Sequence, residues 1–185
     1  MKQTGAKMKV EVLQSEIRYR GRAFNVRQDE IRLPDGRSAQ LDVVDHSAAI
    51  TIVPVDEVGD IWFVRQYRHP TQKLLLELPA GTLEPNEQPE AAALREIREE
   101  IGMAAAEMRL LGEFFLAPGY STEYMYVYLA TGLSPAPLAQ DDDEFIFVEK
   151  YPAQVAYQRL NSSEYQDAKT LLGLYLARPL IFPAE

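Results

Sequence analysis

Three glutamates crowd one short stretch of the 185-residue chain: Glu96, Glu99 and Glu100. Glu96 and Glu100 stand four apart and Glu99 three from Glu96, spacings that put side chains together on a helix. The neighbouring residues predict that helix. Pro89 suits a first turn, where a missing N–H costs nothing. Ala91, Ala92, Ala93, Leu94, Arg95 and Glu96 are strong helix formers, and Gly102 stands where a left-handed stop belongs. Carboxylates in the C-terminal half of a helix oppose its dipole, by about 0.3 kcal/mol or more each. Like charges at this spacing also repel, so positive charge is expected beside them. Arg95 and Arg98 supply part of it. A hard divalent cation is the stronger partner, because it binds clustered carboxylate oxygens and keeps some of its waters. The plain alternative is a solvated, charge-laced helix.

The remaining elements must position this helix. Three strands are expected in residues 9–46, around Val10–Leu13, around Ala23–Leu33, and over Ala39–Val44, with Pro34-Asp35-Gly36 as a turn. Such a sheet buries little alone and needs a partner surface. Residues 48–55 (AAITIVPV) and 61–66 (IWFVRQ) read as buried strands, followed by 74–78 (LLLEL) leading into Pro79-Ala80-Gly81. Strands are also expected over 108–116, 124–130 and 145–148. Helices are expected over 152–160 and 163–177, the second capped by Ser162 or Ser163 and ended by Arg178-Pro179. Strands and helices interleaved in this order suit an α/β layered fold.

Composition narrows the function. The chain carries a net charge of −9, with 46% hydrophobic and 25% charged residues, as in an ordinary globular protein. No dense basic patch is present, which argues against nucleic acid as a partner. No apolar run long enough to span a bilayer occurs, so no membrane role is expected. The N-terminus has no apolar signal core, and there are no cysteines. A reducing, cytoplasmic setting fits both. His46 and His69 lack a third ligand and are read as structural, and Trp62 as core.

The spacing of the helix and its approach is more specific than its charge. Gly81, five residues, Glu87, seven residues, then Arg95-Glu96-Ile97-Arg98-Glu99-Glu100-Ile101-Gly102-Met103 resembles the box of the Nudix hydrolases at each defined position. The resemblance implies an α/β/α sandwich with a mixed β-sheet, here preceded by a small N-terminal antiparallel sheet. It divides the chain into residues 1–46, a dimerisation element, and 47–185, the hydrolase domain. It also implies a reaction, the attack of water on a phosphorus of a nucleoside diphosphate linked to another moiety, with Mg²⁺ (or Mn²⁺) as cofactor. Glu96 and Glu100 match the metal ligands, with Glu99 as a further ligand and the carbonyl of Ala80 as a backbone ligand. Arg95 is grouped with the catalytic residues as the one that holds loop and helix together, and Glu87 is architectural.

The general base is assigned to Glu144, which precedes Phe145-Ile146-Phe147-Val148 as a loop glutamate does in relatives, with Asp143 as the alternative. Pro118, sixteen residues beyond Gly102, resembles a marker of the ADP-ribose pyrophosphatase branch. Leu76–Gly81 and Asp167-Ala168-Lys169-Thr170-Leu171 also look like that branch. The implied substrate is ADP-ribose, a small nucleotide sugar, with another nucleotide sugar such as GDP-mannose next and a non-catalytic nucleotide sensor after that. Arg68 is the expected phosphate-binding arginine, and Glu123 is placed near the ribose or the metals. That branch also implies a homodimer.

Overall fold

The structure is a computed structural model and describes residues 10–139 and 145–183. The chain divides into two compact units. One runs to Ser47 and includes Phe115–Glu123; the other comprises Ala48–Phe114 and the chain from Tyr124 onward.

The first unit is an antiparallel sheet of β1 (Glu11–Arg20), β2 (Phe24–Arg32) and β3 (Ser38–His46), in that order. Leu33 and Gly36 close the expected turn, the Gly36 N–H donating to the Leu33 carbonyl at 2.9 Å. Residues from 115–123 attach to β3: the Val44 N–H donates to the Tyr120 carbonyl at 2.8 Å, and the Thr122 N–H to the Val44 carbonyl at 3.0 Å. All of β1 is exposed.

The second unit carries two sheets and three helices. Its mixed sheet has the order β7-β4-β9-β8, built from β4 (Ala49–Pro54), β7 (Ala80–Thr82), β8 (Met103–Phe115) and β9 (Tyr124–Pro135). β4 runs parallel to β9 and antiparallel to β7. Beside it, β10 (Ile146–Pro152), β5 (Asp60–Arg68) and β6 (Lys73–Glu77) form an antiparallel sheet. All six residues of β4 are buried, which explains why its sequence is apolar but for Thr51. Ile50 and Ile52 pack with Ala92, Ala93 and Ile97 of α1 (Pro89–Glu100). Val53 packs instead with Leu174 and Ala177 of α3 (Ala168–Ile181) and with Ala153 and Ala156 of α2 (Ala153–Gln158). The sheet core thus has helices on both faces, the α/β/α sandwich expected. Each fully buried aliphatic side chain in these layers contributes about 1.5–3 kcal/mol of burial free energy.

Several boundaries differ from expectation. Ala80–Thr82, beyond the strand expected at 74–78, is a short strand of its own, because its backbone pairs with Ala49–Thr51. α3 starts five residues late: Asp167, not Ser162 or Ser163, caps it by accepting from the Thr170 N–H at 3.0 Å. It also continues past Pro179 to Ile181, since a proline in the last turn removes a single helical hydrogen bond. β8 begins at Met103, its alanines drawn into strand by pairing with β9.

Candidate active site

The site grows from α1 and the β7 segment in front of it. Pro89 opens α1 as expected, and Gly102 follows it with φ +70°. Ala92, Ala93 and Ile97 face the core and fix the rotation of the helix. That rotation carries Glu100 inward, to 2% exposure, where its Oε2 accepts the Ala80 N–H at 2.9 Å. Glu96 lies against Gly81. A Cβ built on Gly81 would stand 1.9 Å from Glu96 Oε1, so any side chain here would push the Glu96 carboxylate from its seat. Pro79 is pinned from behind, its carbonyl accepting from the Ile52 N–H at 2.9 Å and from the Thr51 hydroxyl at 3.2 Å.

Arg95 organises the acidic residues. Its Nη1 donates to Glu96 Oε1 at 2.7 Å and to Glu99 Oε2 at 2.9 Å. Nε and Nη2 hold Glu87 in a bidentate pair, both at 2.9 Å, and Nη2 also reaches the Thr82 carbonyl at 3.2 Å. One guanidinium therefore ties the approach loop to two box carboxylates. The hydrogen bonds of Arg95 hold Glu87 below the usual carboxylate range against a smaller burial effect, and Arg95 itself is more firmly charged than usual.

Carboxylates of one helix, converging on the loop at Ala80 and Gly81, offer hard oxygen donors of the type a divalent cation takes. The Glu96 carboxylate pressed against bare Gly81 backbone fits that use. Among the described residues no three acidic or imidazole groups already form a metal cage. Arg95 draws on Glu96 and Glu99, while Glu100 is engaged by Ala80.

Arg68, at the end of β5, is held by Glu77 of β6 in a bidentate pair, Nε to Oε1 at 2.9 Å and Nη2 to Oε2 at 2.8 Å. About a third of its side chain stays exposed (37%), whereas that of Glu77 is 1% exposed. The Glu77 hydrogen bonds keep Arg68 firmly charged despite burial, and the charge of Glu100 adds to this. Arg68 and the box thus share one electrostatic neighbourhood. Burial pushes the Glu77 carboxyl up, but Arg68 and Lys169 together outweigh it and hold the group below the usual range.

The other expected residues belong to the first unit or lie outside the described residues. Pro118 is exposed and Glu123 half-buried, both in the first unit. Glu123 accepts from the Leu116 N–H through its carbonyl at 3.1 Å. Glu144 and Asp143 lie outside the described residues. Glu77 was read from the sequence as part of a strand and given no role. Its signal was a carboxylate inside the apolar run LLLEL, which demands a buried cation.

A site of box carboxylates, a glycine-backed loop and a nearby guanidinium, set at the edge of a mixed sheet in an α/β/α fold, is that of a phosphate-handling hydrolase. The NUDIX domain model matches residues 45–171, and the chain belongs to the Nudix family. It is 33% identical over 158 residues to an ADP-ribose pyrophosphatase of Bacillus subtilis, covering 84% of this chain and 85% of that one. It is 37% identical over 167 residues to an ADP-ribose pyrophosphatase of Mycobacterium tuberculosis, covering 89% and 81%. A crystal structure of an ADP compounds hydrolase superposes with a TM-score of 0.84 at 25% identity, covering 94% of each chain.

Proposed function

We propose that the chain hydrolyses the pyrophosphate of ADP-ribose to AMP and ribose 5-phosphate, using Mg²⁺ or Mn²⁺. The observation that carries this reading is the seat of Glu96 and Glu100 on the Ala80-Gly81 backbone, with Arg68 within electrostatic reach. The two relatives whose names include ADP-ribose support the substrate.

Glu96, Glu99, Glu100 and the Ala80 carbonyl would hold the cation. Bound there, it supplies neutralisation of the pyrophosphate oxygens and a lowered pKa for water. The residues of the chain do the remaining work. Arg68 orients a phosphate through a charged, partly exposed guanidinium. Arg95 keeps Glu96 and Glu99 aligned. Glu144 accepts the proton of the attacking water as the water oxygen bonds to phosphorus and the bridging P–O bond breaks. Pro118 and Glu123 contribute to substrate selection. The reading extends to a homodimer formed through the N-terminal sheet of residues 1–46, a hydrolase domain over 47–185, and a cytoplasmic setting without nucleic-acid or membrane partners. No helix of the described residues is long and apolar enough to cross a membrane.

The test is incubation of purified protein with ADP-ribose and Mg²⁺, with and without EDTA, and separation of the products. Release of AMP and ribose 5-phosphate that stops with EDTA is the expected result. Cleavage of GDP-mannose alone in a parallel panel would replace the substrate assignment while keeping the chemistry. ADP-ribose bound but never cleaved would overturn the enzyme reading.

A further inference from the structure

The Asp167–Leu171 run has a sequence signature but no place in the chemistry above. The structure gives it one. At the start of α3, Lys169 Nζ meets Glu77 Oε2 at 2.5 Å and Asp167 Oδ1 at 3.0 Å. Glu77 Oε2 is the same oxygen that Arg68 Nη2 grips. One residue further, the Leu78 N–H donates to Thr170 Oγ1 at 2.9 Å. Thr170 in turn donates its hydroxyl to Asp167 Oδ2 at 2.7 Å. One turn of helix therefore holds a side chain and a backbone amide at consecutive positions. Two residues after Leu78 comes Ala80, whose N–H is on Glu100.

The charges balance as two cations, Arg68 and Lys169, against two anions, Glu77 and Asp167. The Glu77 and Lys169 side chains are 1% and 13% exposed. Buried ion pairs are costly to desolvate, and apolar residues of similar size often hold a fold as well or better. Stability alone is a weak reason for this cluster. Placement is a better one. Because Glu77 is divided between two cations, Arg68 is oriented by it without being fully neutralised. Without Lys169, Glu77 would belong to Arg68 alone, and less positive charge would be left for a phosphate.

We infer that Lys169 is a positioning residue for the hydrolytic reaction: by gripping the Glu77 oxygen that also holds Arg68, it fixes the Arg68 guanidinium and the Leu78–Pro79–Ala80 backbone ahead of the box. The inference rests on the hydrolase reading for its kinetic consequence, but not for its structural one.

The experiment compares wild type, Lys169→Met and Lys169→Arg in two measurements. The first is kcat and KM for ADP-ribose with Mg²⁺. Lys169→Met is expected to lose about tenfold in kcat/KM, within the range that small misplacements cost. Most of that loss should fall in KM, since a phosphate clamp acts on ground and transition states alike. Lys169→Arg should restore the greater part, which a merely space-filling role does not predict. The second is amide hydrogen exchange at Leu78 and Ala80, which needs no substrate and should quicken in Lys169→Met and recover in Lys169→Arg. Wild-type KM and wild-type exchange in Lys169→Met would overturn the inference, as would an arginine variant no better than methionine. Should Lys169→Met melt too low for assay, Asp167→Asn, which keeps the cap and loosens Lys169, makes the same comparison. A wild type inactive on every nucleotide sugar would remove the hydrolase reading, while exchange would still decide the placement.

Discussion

At the scale of single residues, the site depends on close approach. Gly81→Ala would drive a methyl group into the Glu96 carboxylate, 1.9 Å from Oε1. The carboxylate ends a flexible side chain and can swing aside at little cost to the fold, but the group displaced is a proposed ligand. Near-complete loss of ADP-ribose hydrolysis with little change in thermal midpoint is expected. A variant that keeps full turnover would separate Gly81 from the chemistry. Glu100→Gln is the complementary change. The amide oxygen can still accept the Ala80 N–H, so the fold should hold and ADP-ribose should still bind. Turnover should fall by about a hundredfold or more, as when one electrostatic contact to developing charge is removed. Unchanged turnover in that variant would sink the metal assignment.

At the scale of elements, the paired carboxylates make stability depend on pH. Glu77 is held below the ordinary glutamate value of 4.5 by Arg68 and Lys169, against the opposing effect of burial. A carboxylate depressed in the fold stabilises it above the unfolded-state value, and that contribution disappears as pH falls through the folded one. Glu77→Gln leaves two cations without their shared anion and is expected to cost about 3 kcal/mol near neutral pH. The gap between the variant and wild type should narrow as pH drops below about 4.5. Chemical denaturation at a series of pH values reads this directly, and a gap independent of pH would mean the Glu77 charge contributes nothing to the fold. Glu87, bound by Arg95, adds a contribution of the same sign over the same range.

At the scale of the whole molecule, none of the described residues of the N-terminal sheet belongs to a buried hydrophobic cluster. β1 is exposed along its length, including Val12, Ile17 and Tyr19. Val12 and Ile17 pair with Ile31 and Arg27, and Tyr19, beyond a bulge, with Val26, so apolar side chains stand on both faces of the sheet, and the proposed dimer would bury some of them. Sedimentation equilibrium is expected to give a dimer, and the double change Ile17→Asp with Tyr19→Asp should shift it toward monomer by at least about tenfold in dissociation constant. That corresponds to about 1.4 kcal/mol. A wild type that is monomeric at all concentrations would end the dimer proposal.

The box helix was legible in the sequence because its signals are local; its chemistry was implied by the resemblance of the whole spacing to the Nudix box. That Glu96, Glu99 and Glu100 share a helix follows from its periodicity, and the stop after it from Gly102 and its left-handed backbone. The buried strand at 49–54 and the layered α/β order were legible for a similar reason, since runs of apolar residues report burial. Contacts between distant residues were not. Nothing in the local pattern says that Lys169 meets Glu77, 92 positions away, or that Ala80 pairs with Thr51 and becomes strand. The start of α3 went the same way: Ser162, Ser163 and Asp167 all have capping side chains, and packing chose Asp167. Arg68 was picked as a cation for phosphate from its type and its place in the family pattern. That it is held by Glu77, and that Glu77 is shared, was decided only when β5, β6 and α3 came together, because a buried charge must find its partner wherever the fold brings one.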